Sequence, residues 1–330
     1  MTGRGRWACY WTLSILVSGV LLYYSLRGVD WPRVWQIVAG TRWEYLLAAA
    51  GTTSVSFFLR AVRWRILLNA EARLGVATVF WANMAGYLGN SFLPARAGEV
   101  IRSLLISSRS SLSKTYVLTT ALSERLMDVI ALVLWSSIVL LGVKPKPRWL
   151  AEASGTVAVI AAAGAIAILI LPHTGDLLAK VLGAIPMPAG IRARLLALAE
   201  QVLLGMRAFH HWGRMAGFSL LTAVVWALDG CTAMVAARAL DIGMSFPVAM
   251  LLMAGLGLGS ALPSTPGYVG VYQFAAVTVL GPFGIGRDAA LAYILVAQVL
   301  GYMVTVAYGL PGLYVLHGGG LFHRPGLNES

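Results

Sequence analysis

Long runs of apolar residues dominate the chain, and polar residues are confined to short segments between them. A helix needs about 20 apolar residues to cross a hydrocarbon core that is roughly 30 Å thick. Six segments meet this requirement and are predicted to be transmembrane helices: about 7–26, 43–62, 115–142, 153–171, 214–237 and 288–316. The pattern therefore predicts an all-α membrane protein with about six transmembrane helices.

Two further apolar regions, 76–109 and 246–283, are each interrupted near the middle by residues rich in proline and glycine. The interruptions read PARAG at 94–98 and PSTPG at 263–267. Non-helical backbone is not tolerated against lipid, because its N–H and C=O groups would lack partners there. Each region is therefore predicted to be a broken or re-entrant helix pair whose break is buried in protein or lines a wet cavity.

The two interruptions share a sequence pattern, since LPxxxGEV at 93–100 aligns without a gap with LPxxxGYV at 262–269. Each is preceded by a full span and followed by a longer one, which predicts a duplicated unit of span, broken pair and span. The predicted organisation of the single membrane domain is a first helix and outer loop (1–42), repeat 1 (43–142), a connecting helix (143–173), a cytoplasmic interfacial linker (174–213), repeat 2 (214–317) and a tail (318–330).

The composition agrees with a membrane protein. Of the 330 residues, 58% are hydrophobic and 12% are charged, whereas a soluble domain carries about 25% charged residues. A water-soluble globular protein is therefore excluded. The net charge of +12 rests on few charged residues, so it is concentrated in short loops, as in polytopic inner-membrane proteins rather than nucleic-acid-binding proteins. The two cysteines, Cys9 and Cys231, lie in apolar segments and predict no disulfide framework and no zinc site.

The distribution of basic residues predicts the topology, because cytoplasmic loops carry an excess of Lys and Arg. With a cytoplasmic N-terminus and both broken pairs returning to their own side, fifteen basic residues lie inside and eight outside. The inside set includes Arg60, Arg63 and Arg102, while Arg96 and Arg125 remain in the membrane. Both termini are then cytoplasmic and the two broken pairs open to opposite sides, so the duplication is an inverted repeat, which is common among secondary transporters.

Two polar regions have a less specific interpretation. Residues 174–213 place apolar side chains at helical spacing among several arginines, which is typical of a basic interfacial helix. A plain linker attracted to anionic headgroups explains the same pattern. The basic cluster of Lys144, Lys146 and Arg148 falls on the outer side and is an exception to the topology.

Charged residues cluster at the first break and in the span that follows it. Arg96, Glu99 and Arg102 are spaced i, i+3, i+6 and share one face of a half-helix that starts after Arg96. The next span contains a second charged group, formed by Glu124, Arg125 and Asp128. A charge in the bilayer costs roughly 2.5–3.5 kcal/mol on insertion scales, so it needs a partner or a function. The group predicts either a self-neutralising ion-pair network or a network that surrounds a polar headgroup, and the two interpretations are compatible.

The second break offers backbone dipoles instead of charge. Thr265 followed by Pro266 is typical of an N-cap and first helical residue, which predicts a half-helix through Tyr268, Tyr272 and Gln273. Its amide end, together with a second one after Arg96, forms a natural phosphate site. The alternative for these prolines and glycines is kinked packing, and the glycines at 255–259 predict close helix contacts.

Several other motifs are absent or isolated. Asp229 is a lone intramembrane acid, for which an arginine partner is expected. His210 and His211 are adjacent in sequence, so their side chains point apart on a helix and predict no metal site. The chain has no Walker A sequence, no HExxH and no GxSxG. No cofactor is therefore expected.

Four stretches resemble the lysylphosphatidylglycerol synthase transmembrane, or flippase-like, family of bacterial and archaeal membrane proteins. They read RAVRWRILL at 60–68, GYLGNSFLPARAGEVIR at 86–102, ERLMD at 124–128 and PSTPGYVG at 263–270. The resemblance implies a role in lipid flipping, as in the membrane half of the enzymes that make aminoacylated phosphatidylglycerol and expose it on the outer leaflet. The chain ends at Ser330 without their soluble transferase domain, so aminoacyl transfer is not expected.

One departure from the family concerns the second break, where many relatives have PGGxGxxE and this chain has Tyr268 and Gln273. If the family's acid binds a cationic headgroup, a lysyl-lipid is not the expected substrate. The hypothesis is a flippase-like transporter of the cytoplasmic membrane that moves a phospholipid or other phosphate-bearing lipid. The alternatives are a membrane-embedded lipid-modifying transferase and a non-transporting accessory subunit.

The predicted partners are membrane lipids with a phosphate-bearing headgroup and a lipid-synthesising enzyme, with no nucleic acid. No catalytic residue and no metal ligand is predicted. The candidate substrate-binding residues are Asn90, Arg96, Glu99, Arg102, Glu124, Arg125, Asp128, Thr265, Gly267, Tyr268 and Gln273.

Overall fold

The computed structural model describes residues 3–93, 97–142, 211–260 and 264–317, together with the isolated positions 159, 163, 190, 196 and 262. This part of the chain is all-helical. The α-helices are α1 (Gly3–Leu26), α2 (Trp31–Ala39), α3 (Trp43–Leu68), α4 (Val76–Phe92), α5 (Gly98–Ser108), α6 (Lys114–Gly142), α7 (Trp212–Ala239), α8 (Phe246–Gly259), α9 (Val271–Leu280) and α10 (Arg287–His317). Two short 3₁₀ turns lie at Pro266–Tyr268 and Gly281–Phe283.

Helices cover five of the six predicted spans, and the sixth, 153–171, lies largely outside the described residues. Three helices, α3, α7 and α10, are long and apolar enough to cross a membrane. The basic cluster at 144–148 and nearly all of the linker at 174–213 also lie outside the described residues. The structure therefore supports a multi-pass helical membrane protein.

Helix α2 is a feature that the sequence analysis assigned to the outer loop. It forms because the Asp30 carboxylate accepts a hydrogen bond from the Arg33 amide and Pro32 lies in the first turn. It meets α1 at 86° and packs against α10 through the buried Val34. The neighbouring Trp35 points away from this contact and is 65% exposed. A short amphipathic helix with an outward tryptophan, nearly perpendicular to a span, is typical of the membrane–water interface.

The second break extends further along the chain than the sequence predicts. A half-helix was expected to start at Thr265 and Pro266, but these residues cap only one 3₁₀ turn, and α9 starts at Val271. The helix cannot run through, because Gly267 has φ +74° and Gly270 has φ +86°. These values lie in the left-handed region that glycine tolerates. Thr265 therefore precedes a single 3₁₀ turn without a side-chain cap hydrogen bond, and the predicted continuous half-helix is wrong.

Helices of each predicted unit pack against helices of the other unit. Helix α3 of the first unit packs along α7 of the second. The first half-helix of each unit packs on the last span of the other, so α4 contacts α10 and α8 contacts α6. Glycines allow the close approach, since a Cβ at Gly309 would lie 2.7 Å from the Leu88 Cβ and one at Gly312 would lie 2.7 Å from the Trp81 carbonyl oxygen. The two helix breaks are thereby held against each other.

Candidate functional site

A network of charged side chains occupies the centre of the helix bundle. It contains four arginines and four carboxylates, so its formal charge is zero. Its members are Arg60 and Arg63 on α3, Glu99 and Arg102 on α5, Glu124, Arg125 and Asp128 on α6, and Asp229 on α7. Charges in a low-dielectric interior are tolerated when they are paired and hydrogen-bonded. The network thus joins four helices through ionic contacts.

Arg63 lies at the core of the network and is completely buried. Its guanidinium donates to the Asp128 carboxylate at 2.6 and 3.0 Å and to Glu124 Oε1 at 2.7 Å. The two acids lie one turn apart on α6, so both face the same arginine. The ring of Phe218 packs against the guanidinium, with its centroid 5.1 Å from Cζ.

Arg102 on α5 contacts α3 and α6, the two helices that Arg63 also joins. Its guanidinium donates to Glu99 Oε2 at 2.6 Å, to Glu124 Oε2 at 2.8 Å and to Asn83 Oδ1 at 2.6 Å. It stacks over Trp64, 4.4 Å from the ring centroid. Three acceptors and one aromatic face leave Arg102 buried and fully engaged, which indicates that it holds the helices together.

Arg60 is the partner that the lone acid Asp229 was expected to have. The guanidinium contacts Asp229 Oδ2 at 2.5 Å, and the Ser56 hydroxyl donates to the other oxygen. The Trp226 ring packs against this guanidinium, with its centroid 5.0 Å from Arg60 Cζ. Its indole N–H donates to Asp128. Asp229 is therefore part of the network and joins α7 to α3.

Three arginines that the topology prediction counted on the cytoplasmic side have side chains buried within the helix bundle. Arg60 lies within the span predicted at about 43–62 and Arg63 just after it, whereas α3 continues to Leu68 and keeps both side chains inside the bundle. Arg102 is likewise buried, on α5. They stay inside because four buried carboxylates require positive partners. The i, i+3 spacing of Arg60 and Arg63 was the signal that sequence reasoning missed.

Arg125 forms the exposed edge of the network, where it contacts the buried Glu99. Arg125 Nε donates to Glu99 Oε1 at 2.8 Å, and its side chain is 29% exposed. Asn90 on α4 bridges the first break, because its oxygen accepts from the Gly98 amide at 3.0 Å while its Nδ2 donates to Glu99 at 3.3 Å. The end of α4 and the start of α5 therefore present Glu99 in a fixed position.

This edge faces a cavity of about 390 Å³, which we call the ionic lobe. Residues from both breaks line it, including Asn90 and Glu99 from the first and Tyr268 and Tyr272 near the second. The charged residues in its wall are Arg60, Glu99, Arg125, Asp128 and Asp229. The structure thus brings residues near the two breaks to one cavity that has charged side chains in its wall.

A second cavity of about 310 Å³, the tyrosine lobe, adjoins the ionic lobe. The two share wall residues, among them Asp229, Tyr268, Tyr272 and Thr305. Asp229 is the one charged side chain among the described residues that line the tyrosine lobe. Its other polar wall groups are hydroxyls and an amide, carried by Thr53, Ser91, Thr232, Tyr268, Tyr272, Tyr293, Gln298, Tyr302 and Thr305.

Three predicted residues of the second break, Thr265, Gly267 and Gln273, form structural contacts and do not line the cavities. The Thr265 amide donates to Ser18 of α1 at 3.0 Å. Gln273 is buried, and its oxygen accepts from the Gly270 amide while its nitrogen donates to Gln298. The Gly267 carbonyl accepts from Gln298 at 2.9 Å. These bonds fix the shape of the break. Tyr268 is the predicted residue of this break that lines the two lobes.

The other candidate residues either line the ionic lobe or lie behind its wall. Asn90, Glu99, Arg125, Asp128 and Tyr268 line the ionic lobe. Glu124 and Arg102 lie behind that wall, in the closed part of the network. Arg96 lies outside the described residues.

Two comparisons with known proteins bear on this arrangement. The chain is similar to glycosyltransferase AglD of Haloferax volcanii, at 23% identity over 340 residues that cover 92% of this chain and 53% of the relative. The chain therefore spans about half the length of that relative. The family model described as the lysylphosphatidylglycerol synthase TM region matches residues 11–309. This match covers nearly the whole helical bundle with both breaks, and the chain belongs to the lysylphosphatidylglycerol synthase TM region family.

Proposed function

We propose that this chain is a flippase-like transporter that moves a phospholipid or other phosphate-bearing lipid between the leaflets of the cytoplasmic membrane. One observation carries the proposal: a buried ion network turns one exposed edge toward a cavity between two helix breaks. A purely structural network gains nothing from such an edge, since each exposed contact loses strength to water. Intramembrane charges that line a cavity are typical of substrate pathways.

Arginine groups at the cavity wall suit a phosphate. Arg60 and Arg125 approach Asp128 Oδ2 from two sides, each at 3.8 Å, which is beyond hydrogen-bond distance. Each therefore retains N–H groups for a ligand, and guanidinium binds phosphate through two parallel hydrogen bonds. The acyl chains of the lipid would remain in the bilayer while the headgroup enters the ionic lobe.

The exchanged packing of the two units supports alternating access. If α4–α10 and α8–α6 are equivalent contacts, the units are related by a two-fold axis in the membrane plane, as in inverted-repeat transporters. The site then lies at the interface of the units, where rocking of one against the other exposes it to each leaflet in turn. The proposed units are repeat 1 at 43–142 and repeat 2 at 214–317.

A membrane-embedded lipid-modifying transferase is the second candidate. The relative from Haloferax volcanii is named a glycosyltransferase, and the Asp229 carboxylate lies in the wall of both lobes, where it could act as a base. Against this role, Arg60 and Ser56 already engage both oxygens of Asp229. An accessory subunit, the third possibility, would keep the ion pairs closed.

Transport can be measured in liposomes that contain the purified protein and a fluorescent phospholipid bleached from one side. Arg125→Gln is expected to slow lipid movement by about tenfold or more, because a charge-assisted hydrogen bond is worth roughly 1.5–3 kcal/mol. Arg96→Ala tests the predicted residue at the first break in the same assay. Arg33→Gln is the matched control, since Arg33 is exposed on α2.

Each outcome discriminates between the candidates. Lipid movement that survives Arg125→Gln and Arg96→Ala unaltered would remove both residues from the mechanism. Chemical conversion of the lipid without movement, seen by chromatography of the extracted lipids, would favour the transferase. The absence of both lipid movement and lipid conversion would favour the accessory subunit.

The proposed orientation places both termini in the cytoplasm and α2 at the outer surface. In a background with both native cysteines replaced by serine, Arg33→Cys is expected to react with a membrane-impermeant maleimide added to intact cells. Arg73→Cys, at an exposed position between α3 and α4, is expected to react only after permeabilisation. Labelling in the reverse order would invert the topology.

A further inference from the structure

We propose that the tyrosine lobe binds an uncharged, hydroxyl-rich part of the lipid headgroup, such as a sugar or a glycerol, while the ionic lobe binds the phosphate that carries it. This inference rests on the proposed function, because it names the class of lipid that the same site accepts. It starts from the contrast between two adjoining cavities, one with ionic walls and one with hydroxyl and aromatic walls.

Two hydroxyl groups in the wall of the tyrosine lobe are available for hydrogen bonding. Tyr293 is 2% exposed and Thr305 is 6% exposed, and both side chains line the lobe. Within the described part of the chain, neither hydroxyl forms a hydrogen bond. Neither oxygen is among the fully enclosed polar atoms that lack a partner, so each remains accessible to the space of the lobe. Water or a ligand there completes its hydrogen bonding. Both hydroxyls can donate and accept, as the hydroxyls of a polyol also can.

Aromatic rings supply the remaining wall. Tyr268 and Tyr272 stack face to face, with centroids 4.9 Å apart and planes within 11°. Together with Phe57 they border both lobes. Flat ring faces beside hydroxyl groups suit the apolar C–H surface and polar edge of a sugar ring. Tyr268 holds this position with φ +59°, an uncommon conformation for a residue other than glycine, which persists where the surroundings enforce it.

A cationic headgroup fits the same lobe less well. An aromatic wall next to an acid is typical of sites that bind choline, but Asp229 is already paired with Arg60 at 2.5 Å. A second cation there would be repelled by that guanidinium. A trimethylammonium group also has no hydrogen-bonding atoms, so it would leave the Tyr293 and Thr305 hydroxyls unsatisfied. The wall chemistry therefore favours a neutral polyol over an amine or choline.

Binding of soluble headgroup analogues tests the site without any transport step. Calorimetry on the detergent-purified full chain would compare glucose 1-phosphate, glycerol 1-phosphate, phosphocholine and inorganic phosphate. The polyol phosphates are expected to bind about tenfold more tightly than inorganic phosphate. Tyr293→Phe and Thr305→Val are each expected to reduce this preference by about three- to tenfold while leaving the affinity for inorganic phosphate unchanged. Tyr314→Phe is the matched control, because Tyr314 is 80% exposed.

Transport in liposomes separates the site from the function that it serves. Fluorescent phosphatidylinositol and phosphatidylglycerol are expected to move faster than phosphatidylcholine and phosphatidylethanolamine, and Tyr293→Phe is expected to remove the difference. Preferential binding of a polyol phosphate without lipid movement would support the site and overturn the proposed transport. Equal affinities for all four analogues, no binding of any of them, or tightest binding of phosphocholine would overturn the polyol site, whatever the transport result.

Discussion

Arg63→Met is expected to lower the free energy of unfolding by about 3–5 kcal/mol, since removing one partner of a buried ion pair leaves its counter-charges unpaired. Arg63 is the completely buried partner of Glu124 and Asp128. Methionine replaces the aliphatic stem and removes the guanidinium, so the loss reports on charge rather than on a large cavity. Denaturant unfolding of the purified protein in detergent micelles measures the effect.

The control and the pair analysis make this expectation specific. Arg33→Met changes the same residue type at an exposed position on α2 and is expected to alter stability by less than about 0.5 kcal/mol. In a double-mutant cycle, Glu124→Gln is expected to be less damaging when Arg63 is already Met, because the carboxylate is then no longer left unpaired. Equal losses from Arg63→Met and Arg33→Met would show that the network contributes no stability.

The charged site was predictable from the sequence where helical spacing decides which residues meet. Glu99 and Arg102 are three residues apart, and they form an ion pair on α5. Glu124 and Asp128 are one turn apart, and both accept from the same arginine. That partner, Arg63, was missed because the count of basic residues placed it in a loop, although helix ends are the least certain part of a sequence-based assignment.

Charge balance could have corrected that error. The arginines assigned to the charged cluster, Arg96, Arg102 and Arg125, matched Glu99, Glu124 and Asp128, so Asp229 had no named partner. An acid in a membrane span needs one, and Arg60 was a basic residue inside the predicted span 43–62 to which no acid had been assigned. The structure shows that Arg60 on α3 is that partner.

The tyrosine lobe was beyond the reach of sequence reasoning for a different reason. Tyr293 and Thr305 lie on α10, which is apolar on every side, so periodicity does not reveal which face turns inward. That face is fixed by tertiary packing against α4, α9 and α2. The shape of the second break was also not foreseen, although Gly267 and Gly270 marked two nearby positions that tolerate a left-handed backbone.

Gly98→Ala is expected to destabilise the protein by about 3 kcal/mol or more and to abolish lipid movement, because the first break has no room for a methyl group. A Cβ at Gly98 would overlap the carbonyl oxygen of Gly86 and lie 2.6 Å from Asn90 Oδ1. Neither atom can withdraw easily, since one belongs to the α4 backbone and the other holds the Gly98 amide. Pushing α5 away from α4 would also separate Glu99 from Asn90 and deform the wall of the ionic lobe.

The sign of the effect distinguishes this crowding from a general response to alanine. Gly51→Ala on α3 is the matched control, because a Cβ there meets nothing within 4 Å. Alanine at such a helical position is expected to stabilise the protein by about 0.4–1 kcal/mol, through the smaller entropy of the unfolded chain. Thermal unfolding in detergent and lipid movement in liposomes measure both variants side by side. A Gly98→Ala protein as stable and as active as the Gly51→Ala protein would mean that α4 and α5 do not meet closely at the first break, and the ionic lobe would lose the wall on which the proposed transport depends.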